Sequence, residues 1–113
     1  VQGVLDAGAV PMITFARFHP PFDDPDNIAS FVARCREIVW SCIEQWGGES
    51  VRDWLFCIWN EPNNPIVGGD LSYEQYRRIY VAVAGGIMDL LAPHLDGRKA
   101  RIGAWPTPRA TPS

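Results

Sequence analysis

The sequence of 113 residues predicts an α/β fold in which helices cover a parallel sheet. Three observations predict this class. Apolar runs of strand length alternate with segments whose apolar residues recur at helical spacing. The central run, residues 54–59, is apolar at every position, which is typical of a strand buried on both faces. Successive strands are separated by about 40 residues, which leaves room for a helical crossover between parallel neighbours.

The first elements are short. Residues 4–7 precede Gly8 and have the pattern of a helix end followed by a C′ glycine. Residues 10–15 are an apolar run of strand length. Residues 18–22 contain two consecutive prolines, which disfavour regular structure, so we expect a loop there.

A long amphipathic helix follows this loop. Asp24 is the predicted N-cap and Pro25 the first helical residue, and Gly47 and Gly48 end the helix. Its apolar residues follow the spacing of three, four and seven, so we expect one face to be buried. That face consists of Ile28, Phe31, Val32, Cys35, Ile38, Val39, Cys42, Ile43 and Trp46.

After the strand at residues 54–59 and a polar loop at 60–71, a second amphipathic helix begins. Ser72 and Gln75 have the spacing of a capping box, and Pro93 is predicted to end the helix. The apolar face of this helix consists of Tyr76, Ile79, Tyr80, Val83, Ile87, Leu90 and Leu91.

Two further features complete the chain. Gly85 and Gly86 lie inside the second helix, where each costs about 1 kcal/mol relative to Ala, so we expect another element to pack closely there. Residues 100–104 are predicted to form a third strand, and residues 106–113 an irregular tail.

The element order indicates right-handed crossovers between parallel strands. Neither complete strand is followed by a glycine-rich phosphate-binding motif, which marks the nucleotide sites of open doubly wound sheets. We therefore favour part of a (β/α)8 barrel over an open sheet.

Composition excludes several classes of function. The net charge is −3, and the ten basic residues are scattered, which argues against binding to nucleic acid or to an anionic membrane. No apolar run approaches the ~20 residues that cross a bilayer. We expect Cys35, Cys42 and Cys57 to be reduced, buried, structural thiols. No spacing supports a metal site with His19 or His94, and no motif predicts a cofactor.

The candidate chemistry lies at the carboxyl end of the central strand. Glu61 follows six apolar residues, and a carboxylate is costly to bury there unless it is paired or used. Counted back in twos, Trp59, Cys57 and Leu55 share the face of Glu61, which would then point into the mouth of a barrel. The alternative is that Glu61 turns outward into a solvated loop, with Pro62 closing the strand.

Residues 59–62, Trp-Asn-Glu-Pro, at the end of an apolar strand resemble the W-N-E-P signature of clan A glycoside hydrolases, especially family 39. The resemblance implies a (β/α)8 barrel of which this chain is about strands 3 to 5 with helices 3 and 4. We therefore expect residues 1–113 to be a fragment of one catalytic domain, and the remainder of that barrel to be its partner.

The resemblance also implies roles for residues. Glu61 would be the general acid/base of a retaining glycosidase acting on a carbohydrate, and Asn60 would hydrogen-bond the sugar 2-hydroxyl. The further candidate sugar contacts are Trp59, His19, Asn63 and Trp105. The alternative for Trp59 is a side chain packed in the core, and the alternative for His19 is an ordinary loop residue. Trp105 departs from the family's sequence pattern.

The retaining mechanism needs a second carboxylate about 5–5.5 Å from the first, and we expect it outside these 113 residues. A different class of function stays open, namely a non-catalytic carbohydrate-binding or scaffold barrel that keeps this strand for packing. The sequence assigns neither the sugar, the linkage nor the cellular compartment.

Overall fold

The computed structural model describes residues 1–16, 18–62, 64–65 and 68–104. Its three strands pair in parallel in the order β1-β2-β3, so the predicted mixed α/β class with a parallel sheet is confirmed. In chain order the elements are α1 (Gln2–Asp6), β1 (Met12–Phe15), α2 (Pro25–Trp46), α3 (Gly48–Val51), β2 (Leu55–Ile58), α4 (Tyr73–Leu95) and β3 (Arg101–Ala104). None of the helices in these ranges is long and apolar enough to span a bilayer.

Helix α2 begins and ends as predicted. The Asp24 carboxylate accepts the N–H of Asp26 at 2.9 Å, and Gly47 ends the helix with a φ of 86°. The predicted buried face is wrong at Ile38, which is 47% exposed because it lies toward the open edge of the sheet beside β1. The buried positions of α2 are Phe31, Cys35, Val39, Cys42 and Ile43.

Helix α4 has the predicted capping box but a different end. The Ser72 hydroxyl accepts the N–H of Gln75 at 3.1 Å, and the Gln75 side chain accepts the N–H of Ser72 at 2.9 Å. The prediction that Pro93 ends this helix is wrong. A proline lacks an N–H and its ring crowds the carbonyl four residues before it. Helix α4 nevertheless continues for two residues beyond Pro93 and ends where Asp96 takes the left-handed conformation, with φ 49°.

Helices α2 and α4 pack against each other at the predicted glycine pair. Arg36 Nη1 donates to the Gly86 carbonyl at 2.7 Å, and a Cβ on Gly86 would lie 2.9 Å from Cγ1 of Val32. A Cβ on Gly85 would meet nothing within 4 Å. Close packing therefore explains Gly86 but not Gly85, and the two long helices lie side by side on one face of the sheet.

In the described part of the chain, helices cover one face of the sheet and not the other. Phe15, Phe56 and Ile58 are buried on the face toward the helices. On the other face Leu55 and Cys57 are half-buried, so the prediction that the central strand is buried on both faces is wrong for the described residues. The physical reason is that both crossovers bring their helices to the same side, which leaves the second face without α2 or α4.

Candidate active site

The carboxyl ends of β1 and β2 lie side by side. The N–H of Trp59 donates to the carbonyl of Phe15 at 2.7 Å, which continues the pairing one residue beyond β2. The loops that follow the two strands therefore start from the same edge of the sheet. This is the edge at which parallel α/β folds gather their functional groups.

Trp59 leaves the strand conformation and is completely buried. Its φ is 75°, and its exposed fraction is 0%. The indole packs edge-to-face against the rings of Phe18, Phe22 and Phe31, with centroid separations of 5.2, 5.6 and 5.7 Å. No face of the indole is open to a sugar, so the packing alternative for Trp59 is the one that this geometry fits.

The left-handed conformation of Trp59 also changes the face of the sheet on which its side chain lies. Phe31 belongs to α2, so the Trp59 side chain lies on the helix side of the sheet, whereas Cys57 and Leu55 lie on the other face. Alternation requires extended backbone on every residue, and a positive φ interrupts it. The prediction that Trp59 shares a face with Cys57 and Leu55 is therefore wrong.

A set of backbone contacts folds the loop after β2 back on itself. Trp59 Nε1 donates to the Gly68 carbonyl at 2.7 Å, and the N–H of Leu71 donates to the Pro62 carbonyl at 2.7 Å. Gly68 is buried, and a Cβ built on it would lie only 1.6 Å from the carbonyl oxygen of Glu61. We call this arrangement, in which residues 68–71 lie against residues 59–62, the clasp.

The two candidate reactive residues lie on the solvent side of the clasp. Asn60 and Glu61 are both exposed, and within the described part of the chain neither side chain makes a hydrogen bond or an ion pair. Glu61 has a φ of 45°, the second left-handed residue of this short segment. Such a conformation costs a non-glycine residue on the order of 1–3 kcal/mol, and it recurs at ligand-binding sites. The carboxylate is thus accessible to a ligand at the carboxyl edge of the sheet.

His19 is exposed in the loop that follows β1. It lines an open cleft of about 210 Å³ beside α2, and Glu61 is not among the residues that line this cleft. The structure therefore does not bring His19 and Glu61 together there. The lining residues are Phe18, His19, Pro20, Asn27, Ser30 and Arg34.

Asn63 and Trp105, two of the predicted sugar contacts, lie outside the described residues, as does the predicted tail at residues 106–113.

Sequence reasoning missed the residues that shape the loop. Gly68 has a signal in the sequence, since two adjacent glycines in a polar loop are typical of a close approach of backbones. Tyr76 has none: its hydroxyl donates to the carbonyl of Ile58 at 2.6 Å, which joins the first turn of α4 to the end of β2. Gln75 Nε2 also donates to the Asp23 carboxylate at 3.1 Å and so links the two loops.

Cys35 and Cys42 lie in α2, and Cys57 lies in β2. Burial raises the pKa of Cys35 from its ordinary value of 9.0 to about 12, and burial also raises the pKa of Cys42. Cys57 is only half-buried, which corrects the prediction that all three are buried. Among the residues that the structure describes, no three His, Cys, Asp or Glu side chains are grouped so that they could hold a metal ion.

A curated relative supports a link to glycosidases. A Beta-xylosidase of Geobacillus stearothermophilus is 39% identical over 54 residues, which are 48% of this chain and 10% of that protein. The chain therefore matches about a tenth of the length of the relative. No protein-family model matches the chain, and no solved structure matches it. The partial similarity indicates a relationship to a glycosidase and supports nothing finer.

Proposed function

We propose that this chain supplies the general acid/base, Glu61, of a retaining O-glycosyl hydrolase. The observation that carries the proposal is the exposed Glu61 carboxyl in a left-handed turn at the carboxyl end of β2, within the motif Trp-Asn-Glu-Pro. The partial similarity to a Beta-xylosidase supports the same reaction class. The proposed setting is a (β/α)8 catalytic domain of the family 39 type in clan A, in which β1 to β3 are about the third to fifth strands.

The three-strand sheet supports that setting. In a (β/α)8 barrel each helix packs outside its strands and the other face of the sheet points inward. Here both long helices lie on one face, and Met12, 61% exposed on the opposite face, is an apolar side chain that the inside of a barrel would cover. The rest of the barrel would come from residues other than these 113.

The chemistry proposed for Glu61 has two steps. In the first, protonated Glu61 gives its proton to the glycosidic oxygen while the bond from that oxygen to the anomeric carbon breaks. A second carboxylate, from outside these 113 residues, attacks the anomeric carbon and forms a glycosyl ester. In the second step the Glu61 carboxylate takes a proton from water, the water oxygen bonds to the anomeric carbon, and the ester breaks.

Asn60 has a supporting role in this proposal. Its amide is exposed and directly precedes Glu61 in the chain, and by the family resemblance it would contact the same sugar unit. A hydrogen bond from an amide to the 2-hydroxyl strengthens as the oxocarbenium-like transition state forms. The name of the relative makes a β-xyloside the first substrate to test.

The test compares two variants of Glu61 in the protein as its gene encodes it. With phenyl β-xyloside, whose leaving group needs a proton, we expect Glu61→Gln to lower kcat/KM by roughly 10²–10⁴-fold, the range that general acid–base catalysis contributes. For Glu61→Ala with dinitrophenyl β-xyloside, whose first step needs no acid, added azide should restore turnover and give a glycosyl azide, because azide needs no general base. Glu49→Gln is the matched control, since Glu49 is exposed in α3 before β2, at the other end of the sheet.

Full activity of Glu61→Gln would refute the assignment. If the wild-type protein binds xylo-oligosaccharides in calorimetry but hydrolyses no glycoside, the non-catalytic alternative replaces the proposal.

A further inference from the structure

We infer that Trp59 and Gly68 are positioning residues that hold the Glu61 carboxyl in place for proton transfer to the leaving group. The inference rests on the proposed acid/base role of Glu61 and extends it to two residues of the clasp. Neither residue offers a reactive group to a substrate, since both are buried. Their effect would pass through the backbone of residues 60 and 61.

The first observation is the conformation of the segment that carries the acid. Trp59 has a φ of 75° and Glu61 a φ of 45°, so left-handed residues flank Asn60 on both sides. A non-glycine residue keeps this conformation only where its surroundings stabilise it. The direction of the Glu61 side chain therefore depends on contacts made by its neighbours.

Gly68 makes the closest of these contacts. A Cβ at this position would lie 1.6 Å from the Glu61 carbonyl oxygen and 3.0 Å from Pro62 Cα, so only a glycine fits against the backbone of the acid. The same Glu61 carbonyl accepts the N–H of Asn64 at 2.9 Å. The peptide group that follows Glu61 is thus fixed on two sides.

Trp59 holds Gly68 in that position. Its ring cannot move freely, because it packs against Phe18, Phe22 and Phe31, and its Nε1–H donates to the Gly68 carbonyl at 2.7 Å. The Gly68 carbonyl thus accepts a hydrogen bond from an indole that the surrounding aromatic rings hold in place. The cluster, Trp59, Gly68 and Glu61 therefore form one continuous set of contacts.

A displaced acid has a specific kinetic consequence. Dinitrophenolate leaves without needing a proton, whereas phenolate leaves slowly unless an acid protonates the oxygen. A variant in which only the acid is misplaced therefore loses activity on a phenyl glycoside and keeps it on a dinitrophenyl glycoside. A general loss of folded protein lowers activity on both substrates by the same factor.

The experiment measures kcat/KM of the encoded protein on phenyl and dinitrophenyl β-xylosides. Trp59→Phe keeps an aromatic ring but removes the N–H, and Gly68→Ala adds the Cβ. Displacing a reacting group by about 1 Å can cost roughly 10²-fold, so we expect a loss of about 10–100-fold on the phenyl substrate. The dinitrophenyl substrate should change less than about threefold, because it does not use the acid.

The chain offers a matched control for each variant. Trp46→Phe removes a similar bond, from the indole N–H to the Gln2 side chain at 2.8 Å, at the far end of α2. Gly85→Ala adds a Cβ where nothing lies within 4 Å. Both controls should keep the wild-type ratio of the two rates. Near-ultraviolet circular dichroism identifies any variant that does not fold, and Trp59→Phe tests the inference if Gly68→Ala fails to fold.

Two outcomes separate the inference from the function on which it rests. If Glu61→Ala loses the phenyl substrate selectively while folded Trp59→Phe loses both equally or neither, the inference is wrong and the proposed function stands. If Glu61→Ala itself shows no selective loss, the proposed function fails and the inference fails with it.

Discussion

The adjacent glycines of α4 are expected to respond in opposite directions to the same substitution. Both Gly85 and Gly86 lie in the interior of the helix, so Ala in place of either removes the same backbone cost. Their surroundings differ, since a Cβ on Gly85 meets nothing within 4 Å, whereas Gly86 faces α2. The comparison therefore isolates the contact between the two helices.

The expected changes in the free energy of unfolding follow from helix propensity and from these distances. Gly85→Ala should raise the free energy of unfolding by about 0.5–1 kcal/mol, the helix propensity difference. At Gly86 a Cβ would lie 2.9 Å from Val32 Cγ1 and 3.2 Å from Arg36 Cδ. Val32 is β-branched and stiff in a helix, and the bond from Arg36 to the Gly86 carbonyl limits its movement. Overpacking costs typically about 1–3 kcal/mol, so Gly86→Ala should be destabilising by about 1 kcal/mol overall.

The assay is thermal and urea unfolding of the two variants beside the wild type. The free energies of unfolding of the two variants should differ by about 1.5–2 kcal/mol, and Gly85→Ala should have the higher melting temperature. Equal shifts in the same direction would show that α2 does not constrain Gly86, and would refute the packing described for the two helices.

Two further predictions concern the end of β2 and the buried thiol of α2. Tyr76→Phe removes the donor to the Ile58 carbonyl and leaves that buried oxygen without this partner, so the free energy of unfolding should fall by about 1–2 kcal/mol in urea denaturation; an unchanged midpoint would contradict the bond. The pKa of the Cys35 thiol is about 12 in the folded protein and 9.0 in the unfolded chain. The contribution of the buried thiol to stability is therefore present below pH 9.0 and is lost as the pH rises toward about 12. The melting temperature of Cys35→Ala should therefore fall less steeply with pH above 9.0 than that of the wild type, and parallel curves would contradict the burial of the thiol.

The helices could be predicted because their signals are local. Asp24 and the pair Ser72 and Gln75 cap their helices through side chains that act within three residues, and the apolar spacing predicts every buried position of α2 and α4. Helix α3 was not predicted, since a single turn after Gly47 and Gly48 is too short to show any period.

The site could be predicted only in part, because its shape depends on distant contacts. The motif at residues 59–62 marks the end of the strand, but nothing in the sequence shows that Trp59 and Glu61 take positive φ values. Those values belong with the contact of Gly68 against the Glu61 backbone, and Gly68 is seven residues further along the chain. Alternation along the strand could not foresee a turn that a later segment stabilises.

The clasp divides the loop into residues that are costly to replace and residues that are not. Trp59, Pro62 and Gly68 are buried, whereas Asn60 and Glu61 project from the same few residues without a hydrogen bond from their side chains among the described residues. Replacement of either side chain therefore removes no hydrogen bond among the described residues. Substitutions at Asn60, and substitutions at Glu61 by residues that tolerate its left-handed φ of 45°, should leave the melting temperature nearly unchanged. Under the proposed function, variants of Asn60 and Glu61 that lose activity should therefore stay folded, so complexes with an uncleaved glycoside can be prepared with them.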